Sequence, residues 1–339
     1  MAIKRKKTSL KDIAVAAGVS TTAVSYVLNG KHKKNRIGDG LAEKIRTIAR
    51  ELDYVPNGFA RSLQSGAGLT MGVIVSDISN SFSSTLVKSI ETTAESFGYM
   101  AIFSSSDENA SKLDRLVQEL LGKEVDGLII VPCEGSEQTI LGLERRGVPL
   151  VLLDRFVPGS GSDYIGLDNE AASAVLASRL IENGHRKVGC ICYDFKVTNM
   201  KERIDGYKNL MASMDSPFVE VRFADYDNLP KGCSDAVDSL YEAGCDAIIC
   251  STYPIALNSF RRIQGRNLRV PEDIALASYD GGPIFEFFSS PIIYYSQPLE
   301  EMARLAVESL VGRIRGDTEG RRIMKISGTL HEPNLIQGV

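Results

Sequence analysis

The sequence predicts an α/β protein with a small helical head and a larger body of two parallel α/β lobes. Three observations predict it. Residues 10–29, LKDIAVAAGVSTTAVSYVLN, read as two short helices around a tight turn. From Met71 onward, short apolar runs alternate with segments of helical apolar spacing, the pattern of parallel strands covered by helices. Charge divides at the same place. Residues 1–69 hold 13 Lys and Arg against 5 Asp and Glu, a net of +8, while the remainder holds 26 against 38, a net of −12. Such a division implies that only the head meets a polyanion.

In the head, Leu10, Ile13, Ala14 and Ala17 share one face of the first helix, and Val24, Val27 and Leu28 share one face of the second. Gly18 gives the corner its backbone freedom, Val19 plugs it, and Ser20 is a good N-cap for the second helix. This is a helix-turn-helix pattern, whose second helix enters a DNA major groove; the ordinary alternative is a helical hairpin. Lys31, Lys33, Lys34 and Arg36 lie in a basic loop suited to phosphate contacts, as do Lys4, Arg5, Lys6 and Lys7 at the N-terminus. A third helix is expected from about Gly40 to Leu52, with Leu41, Ile45, Ile48, Ala49 and Leu52 as its apolar set. Pro56 ends this unit. NGFARSL at 57–63 is helical in composition but too short to be stable alone, and QSGAGLT at 64–70 reads as a linker.

The body begins with the strand MGVIV at 71–75 and a helix near 82–97. YMAIFS precedes a helix at 110–121, GLIIVP precedes one at 136–146, and PLVLLD ends the first set. The second set starts near Asp168. Its helices are expected at 169–183, 199–214, 231–243 and 254–264, and its strands at KVGCIC, FVEVRF, DAIIC and IALASY. Two sets imply two lobes, with ligands bound beyond the carboxyl ends of the strands.

Composition excludes several classes. No apolar run approaches a membrane span. MAIKRKKTSL has no apolar segment behind its charges, so it does not read as a secretory signal, and a cytoplasmic location is expected. The six cysteines form no CxxC pair and sit in apolar runs, so buried thiols are expected. Three scattered histidines offer little for a zinc site, and neither a metal nor a cofactor is expected. An α/β enzyme is one alternative for the body, but GxGxxG, GxxxxGK[ST] and GxSxG are all absent. A sugar-binding receptor module is the other, and the basic head argues against it.

The head, the Tyr54-Val55-Pro56-Asn57 break, the short segment after it and the two-lobed body together resemble the LacI/GalR family of bacterial transcription repressors. Further family-like pieces are VIVSDISNSF at 73–82, DGLIIVP at 126–132, VLLDR at 151–155, ERIDGY at 202–207 and VPEDIALASYD at 270–280. Within the head, SYVLNGKHKKNRI looks most like the fructose and sucrose repressor subgroup. The resemblance implies a head over 1–56 and a hinge helix with linker over 57–69. It further implies a core like a periplasmic sugar-binding protein, crossed three times by the chain. The N-terminal lobe would be 70–167 with 298–324, and the C-terminal lobe 168–297 with 325–339. The chain ends without heptads, so a homodimer on a near-palindromic operator is expected.

By this resemblance Thr21, Thr22 and Tyr26 read bases, with Ser25 nearer the phosphates; capping and solvent exposure is the alternative for the two threonines. Ser20, Asn29, Asn57 and Arg61 join the expected DNA contacts. Leu63 would wedge into the minor groove at the operator centre, or else pack on its own core. The effector positions implied are Ser79, Phe82, Asp107, Asp154, Arg155, Asn199, Arg203, Thr252, Asp280 and Gln297. Asp154 with Arg155 has a plain alternative as a strand-end ion pair, and Phe82 as helix core. Where many members have Asn-Asp, this chain has Thr252-Tyr253. The function expected is a sequence-specific transcriptional regulator of carbohydrate metabolism, a repressor controlled by a sugar or phosphosugar held between the lobes.

Overall fold

The computed structural model describes residues 8–54, 68–281, 285 and 290–332, and they fall into two compact units, Met1–Gly68 and Leu69–Val339. The first unit holds α1 (Leu10–Ala17), α2 (Thr21–Leu28) and α3 (Asp39–Glu51). They close over Ile13, Ala14, Ala17, Val24, Val27, Ala42, Ile45 and Ala49, all buried. Leu41, expected on the apolar face of α3, is 37% exposed, and its neighbour Ala42 takes the core position.

Among the described residues the second unit contains two six-stranded sheets. The first comprises β1 (Thr70–Val75), β2 (Met100–Ser105), β3 (Gly127–Ile130), β4 (Leu150–Leu153), β5 (Asp163–Leu167) and β11 (Ile323–Ile326), in the order β11-β5-β4-β3-β1-β2 and parallel throughout. The second comprises β6 (Val188–Tyr193), β7 (Glu220–Ala224), β8 (Ala247–Cys250), β9 (Ala275–Tyr279), β10 (Ile293–Ser296) and β12 (Thr329–His331), in the order β12-β10-β9-β8-β6-β7. Only the β10–β12 pair in it is antiparallel. Both faces of each sheet are covered, as the near-continuous apolar strands require. Helices α4 (Ser81–Ser96) and α11 (Leu299–Ile314) share one core with the first sheet, and α5 (Ala110–Leu121) and α6 (Glu137–Arg145) share the other. The second sheet is flanked by α7 (Asn169–Glu182) and α8 (Thr198–Ala212) on one face, and by α9 (Leu229–Glu242) and α10 (Tyr253–Gly265) on the other. Helices α7 and α8 approach closely because Gly206 has no side chain; a Cβ there would lie 2.3 Å from the Glu170 carbonyl oxygen.

Three features differ from the sequence expectation. The first sheet has a strand, β5, where the apolar pattern ends at PLVLLD. It opens on Asp163, a charged residue that does not look like strand core. Asp163 is nevertheless buried, because Arg313 contacts it at 2.6 and 2.9 Å, Ser309 at 2.5 Å and the Arg322 amide at 2.8 Å. Burial opposes its charge, but these donors hold the carboxyl below its usual range. The second concerns the lobe boundary expected at 324. β11 pairs with β5 through Ile326, so the chain leaves the first sheet two residues later. The FVEVRF strand is likewise displaced, to Glu220–Ala224, at an exposed sheet edge. Among the described residues no helix is long and apolar enough to cross a membrane.

Candidate functional sites in the head and between the lobes

In the head, Ser9 and Asp12 form a reciprocal capping box that starts α1. Gly18 turns the chain at φ 72°, and Ser20 accepts the Ala23 amide at 3.2 Å to start α2. Because Ser20 supplies that cap, Thr21 and Thr22 stand exposed on the first turn of α2. Ser25 and Tyr26 are half-buried one turn on, and Asn29 donates to Ser25 at 3.3 Å. Lys31, Lys33, Lys34 and Arg36 are exposed on a loop closed by the Ile37 amide on the His32 carbonyl at 2.9 Å. His32 lies 3.3 Å from Asp39 at the start of α3. Asn57, Arg61 and Leu63 lie outside the described residues, as do Lys4, Arg5, Lys6 and Lys7.

In the core, a cavity of about 780 Å³ opens between the carboxyl ends of the two sheets. Nine of the ten expected effector positions line it: Ser79, Phe82, Asp154 and Arg155, with Asn199, Arg203, Thr252, Asp280 and Gln297 opposite. Asp107 does not. It is exposed and paired with Lys112, whose hydrogen bond, with that of Ser105, holds its carboxyl below the usual range. Asp107 and Glu108 both have left-handed backbone, at φ 51° and 53°, and this double turn aims Glu108 into the cavity in its place.

Glu108 grips the Arg155 guanidinium with two bonds of 2.7 and 2.8 Å, and Arg155 also donates to the Pro132 carbonyl at 3.1 Å. The nearest Asp154 oxygen is 3.6 Å from Arg155 Nε. The strand-end ion pair of Asp154 and Arg155 is thus present but without a hydrogen bond, and Glu108 takes the Arg155 fork. The hydrogen bond that Asp154 accepts comes from Asn199, which donates to its Oδ2 at 2.8 Å. Asp154 Oδ1 is buried with no hydrogen-bond partner, and so is Gln297 Oε1. Burial pushes the Asp154 carboxyl up, against the pull of Arg155 and Arg203. Asp280 accepts both its bonds from Gln297 Nε2, at 3.0 and 3.1 Å, and burial raises its carboxyl to about 6. Arg203 donates to Asn169 at 2.8 Å and to the Ser251 carbonyl at 2.5 Å, and its guanidinium lies 4.0 Å from the Tyr279 ring centre. Phe82 serves both readings, since it packs on the first-lobe core and also lines the cavity.

Residues that sequence reasoning missed complete the site. Tyr226 donates to Asp77 at 3.1 Å across the cavity, and Tyr193 and Tyr226 form an aromatic wall with ring centres 5.5 Å apart, backed by Phe195 at 5.2–5.4 Å. Tyr226 follows an edge strand in the polar run ADYD, where no apolar period marks it. All six cysteines are free and buried, and burial raises the Cys133 and Cys233 thiols to about 11, so neither is a ready nucleophile. Among the described residues no cluster of His, Cys, Asp or Glu is placed to hold a metal ion. Buried acceptors without donors, fixed donors beside them and aromatic faces suit a polyhydroxylated ligand.

Comparison with known proteins agrees with both halves. Residues 9–57 match the family described as bacterial regulatory proteins, lacI family. Residues 68–333 match the periplasmic binding proteins and sugar binding domain of the LacI family. The chain is similar to the ribose operon repressor of Haemophilus influenzae, 30% identical over 95% of this chain and 96% of that protein. It is also similar to the PurR repressor of Aliivibrio salmonicida, 31% identical over 94% and 96%. Among solved structures, a lac repressor dimer bound to operator and the anti-inducer ONPF gives a TM-score of 0.83 at 23% identity, covering 97% of this chain and 99% of that one. A CelR–cellobiose complex gives 0.70 at 25%, covering 96% and 99%. The two named relatives are a ribose operon repressor and a PurR repressor, so they lend no support to the fructose-type likeness of the head. With head and body both matched along nearly its whole length, the chain belongs to the LacI family of DNA-binding transcriptional regulators.

Proposed function

We propose that this regulator is a repressor of carbohydrate-metabolism genes and acts as a homodimer on a near-palindromic operator. Helix α2 reads bases through Thr21, Thr22 and Tyr26, and the loop cations neutralise phosphates. A small sugar or phosphosugar in the interlobe cavity sets the operator affinity. The observation that carries the effector reading is the pair of buried acceptors, Asp154 Oδ1 and Gln297 Oε1, left without donors in a cavity with an aromatic wall. Ligand hydroxyls supply the missing donors. Because binding at the two sites is linked, an effector that shifts operator affinity roughly 5–150-fold needs a coupling of about 1–3 kcal/mol.

The test begins with selection of operators from a random DNA pool by the full-length protein. The enriched site is then titrated with sugars and sugar phosphates by fluorescence anisotropy. A palindrome whose affinity changes with one carbohydrate supports the reading. An enriched palindrome that no carbohydrate shifts removes the effector half and leaves the DNA half intact.

A further inference from the structure

We propose that Glu108 sets the charge class of the effector: by occupying Arg155 it makes the cavity accept an uncharged polyol and reject its phosphate ester. This rests on the reading of the cavity as a carbohydrate site.

The charged side chains of the cavity are unbalanced. Among the described residues Asp77, Glu108, Asp154, Asp227 and Asp280 face it, against only Arg155 and Arg203, and no lysine lines it. Neither arginine offers an anion its full fork, although Arg155 Nε is buried without a hydrogen-bond partner. Both Nη atoms of Arg155 are held by Glu108, with Pro132 as a further acceptor. Arg203 has Nε and Nη1 turned to protein acceptors and its face on Tyr279. An arginine binds phosphate best through two parallel N–H bonds, and here those forks point elsewhere.

Helix N-termini are the other common anion holders, and four begin at this cavity, those of α4, α8, α9 and α10. Each is compromised. The Asn80 side chain accepts the Ser83 amide at the start of α4 at 2.7 Å. The Asn199 side chain accepts the Met200 amide at the start of α8 at 2.8 Å. Helices α9 and α10 each carry a proline as their second residue, Pro230 and Pro254, and neither proline has an N–H to offer. The ligand therefore meets a set of acceptors, Asp154 Oδ1 and Gln297 Oε1 among them, and acceptors recognise hydroxyls and repel phosphate oxygens.

The experiment is isothermal titration of the full-length protein with matched pairs: D-glucose, D-ribose and D-fructose, each against its phosphate ester, with inorganic phosphate as the bare anion. The wild type is expected to bind a neutral sugar at least tenfold tighter than its ester, and to ignore inorganic phosphate. Glu108→Gln keeps the shape and one bond to Arg155, removes the charge and frees part of the fork. It should gain affinity for inorganic phosphate and for the esters by about tenfold or more. The double variant Glu108→Gln/Arg155→Met should lose that gain, which places it at Arg155. A wild type that prefers an ester to its parent sugar overturns the proposal without any variant being folded. A folded Glu108→Gln that gains nothing for phosphate overturns it too. Silence toward every sugar, with phosphate binding gained in Glu108→Gln, upholds the charge rule and overturns the carbohydrate reading instead.

Discussion

The head and the core use positive charge in opposite ways. In the head, Lys31, Lys33, Lys34 and Arg36 are exposed, and none is paired with a carboxylate among the described residues. In the core, Arg155 and Arg203 are 6% and 2% exposed and already bonded to protein acceptors. Hydrated, unpaired cations suit a polyanion, whose binding is driven by release of counterions and needs little fixed geometry. Buried, engaged arginines suit a small ligand, because they hold the surrounding acceptors in place and leave no loose charge. Removing a cation should therefore cost the core stability, and should cost the head DNA affinity but not stability.

The largest effect is expected at Arg203. Truncation to alanine strands the Asn169 oxygen and the Ser251 carbonyl, both buried, and removes the cation from the face of Tyr279. Each stranded acceptor costs about 1–3 kcal/mol, so Arg203→Ala should lower the stability of the core by about 4 kcal/mol. Urea unfolding followed by circular dichroism measures it. A loss below about 1 kcal/mol would mean that water takes over both acceptors and that the arginine is no scaffold.

Asp280 should give the next largest effect, and one that depends on pH. Its folded carboxyl titrates at about 6, above the ordinary 3.8, because burial disfavours the charge. A raised carboxyl contributes stability that is complete below about pH 4 and is lost as pH rises through 6. At 1.36 kcal/mol per pH unit the loss comes to about 3 kcal/mol by pH 7. Asp280→Asn cannot ionise, so it should escape this loss and be more stable than the wild type at pH 7.5, with the advantage shrinking toward pH 4. It should also bind the effector less well, having given up an anionic acceptor. Melting temperatures of both proteins from pH 4 to 8 decide the matter; a constant difference across that range would mean that Asp280 stays ionised throughout.

How much of the fold and the site was legible in the sequence depends on the range of the interactions. The head is local: Gly18, Ser20 and the spacing of Ile13, Ala17, Val24 and Val27 fix it within twenty residues, and the structure agrees there. The strand ends were legible as a class, because in parallel sheets they face a cavity, and nine of the expected effector positions line that cavity. Single side chains were not. Whether Asp107 or Glu108 points inward depends on two successive left-handed residues, which no periodicity announces. β5 was hidden because its Asp163 is neutralised from residues 309, 313 and 322, nearly half the chain away. Tyr226 meets Asp77 across 149 positions. The expected wedge at Leu63 lies outside the described residues, and its role stays a proposal.

The smallest effect on stability, and the sharpest contrast with Arg203, is expected from the head loop. Replacing Lys31, Lys33, Lys34 and Arg36 with alanine removes side chains that are all exposed, so unfolding should change by no more than about 0.5 kcal/mol. The loop itself is held by the Ile37 amide on the His32 carbonyl and by Asn35 on the Lys31 carbonyl, and both bonds survive, since only the backbone of position 31 takes part. DNA binding should change a great deal. If the dimer neutralises about six phosphates, affinity falls with salt at a log–log slope near −5. Each phosphate no longer neutralised should flatten that slope by about 1. The four replacements should thus weaken operator and random DNA alike at low salt, while the ratio between them holds, because phosphate contacts carry no sequence information. Anisotropy titrations at several salt concentrations read slope and ratio together. A quadruple variant with an unchanged slope would show that these cations are merely solvated. A variant that loses operator binding selectively would show that the loop reads bases, which its position beyond α2 argues against.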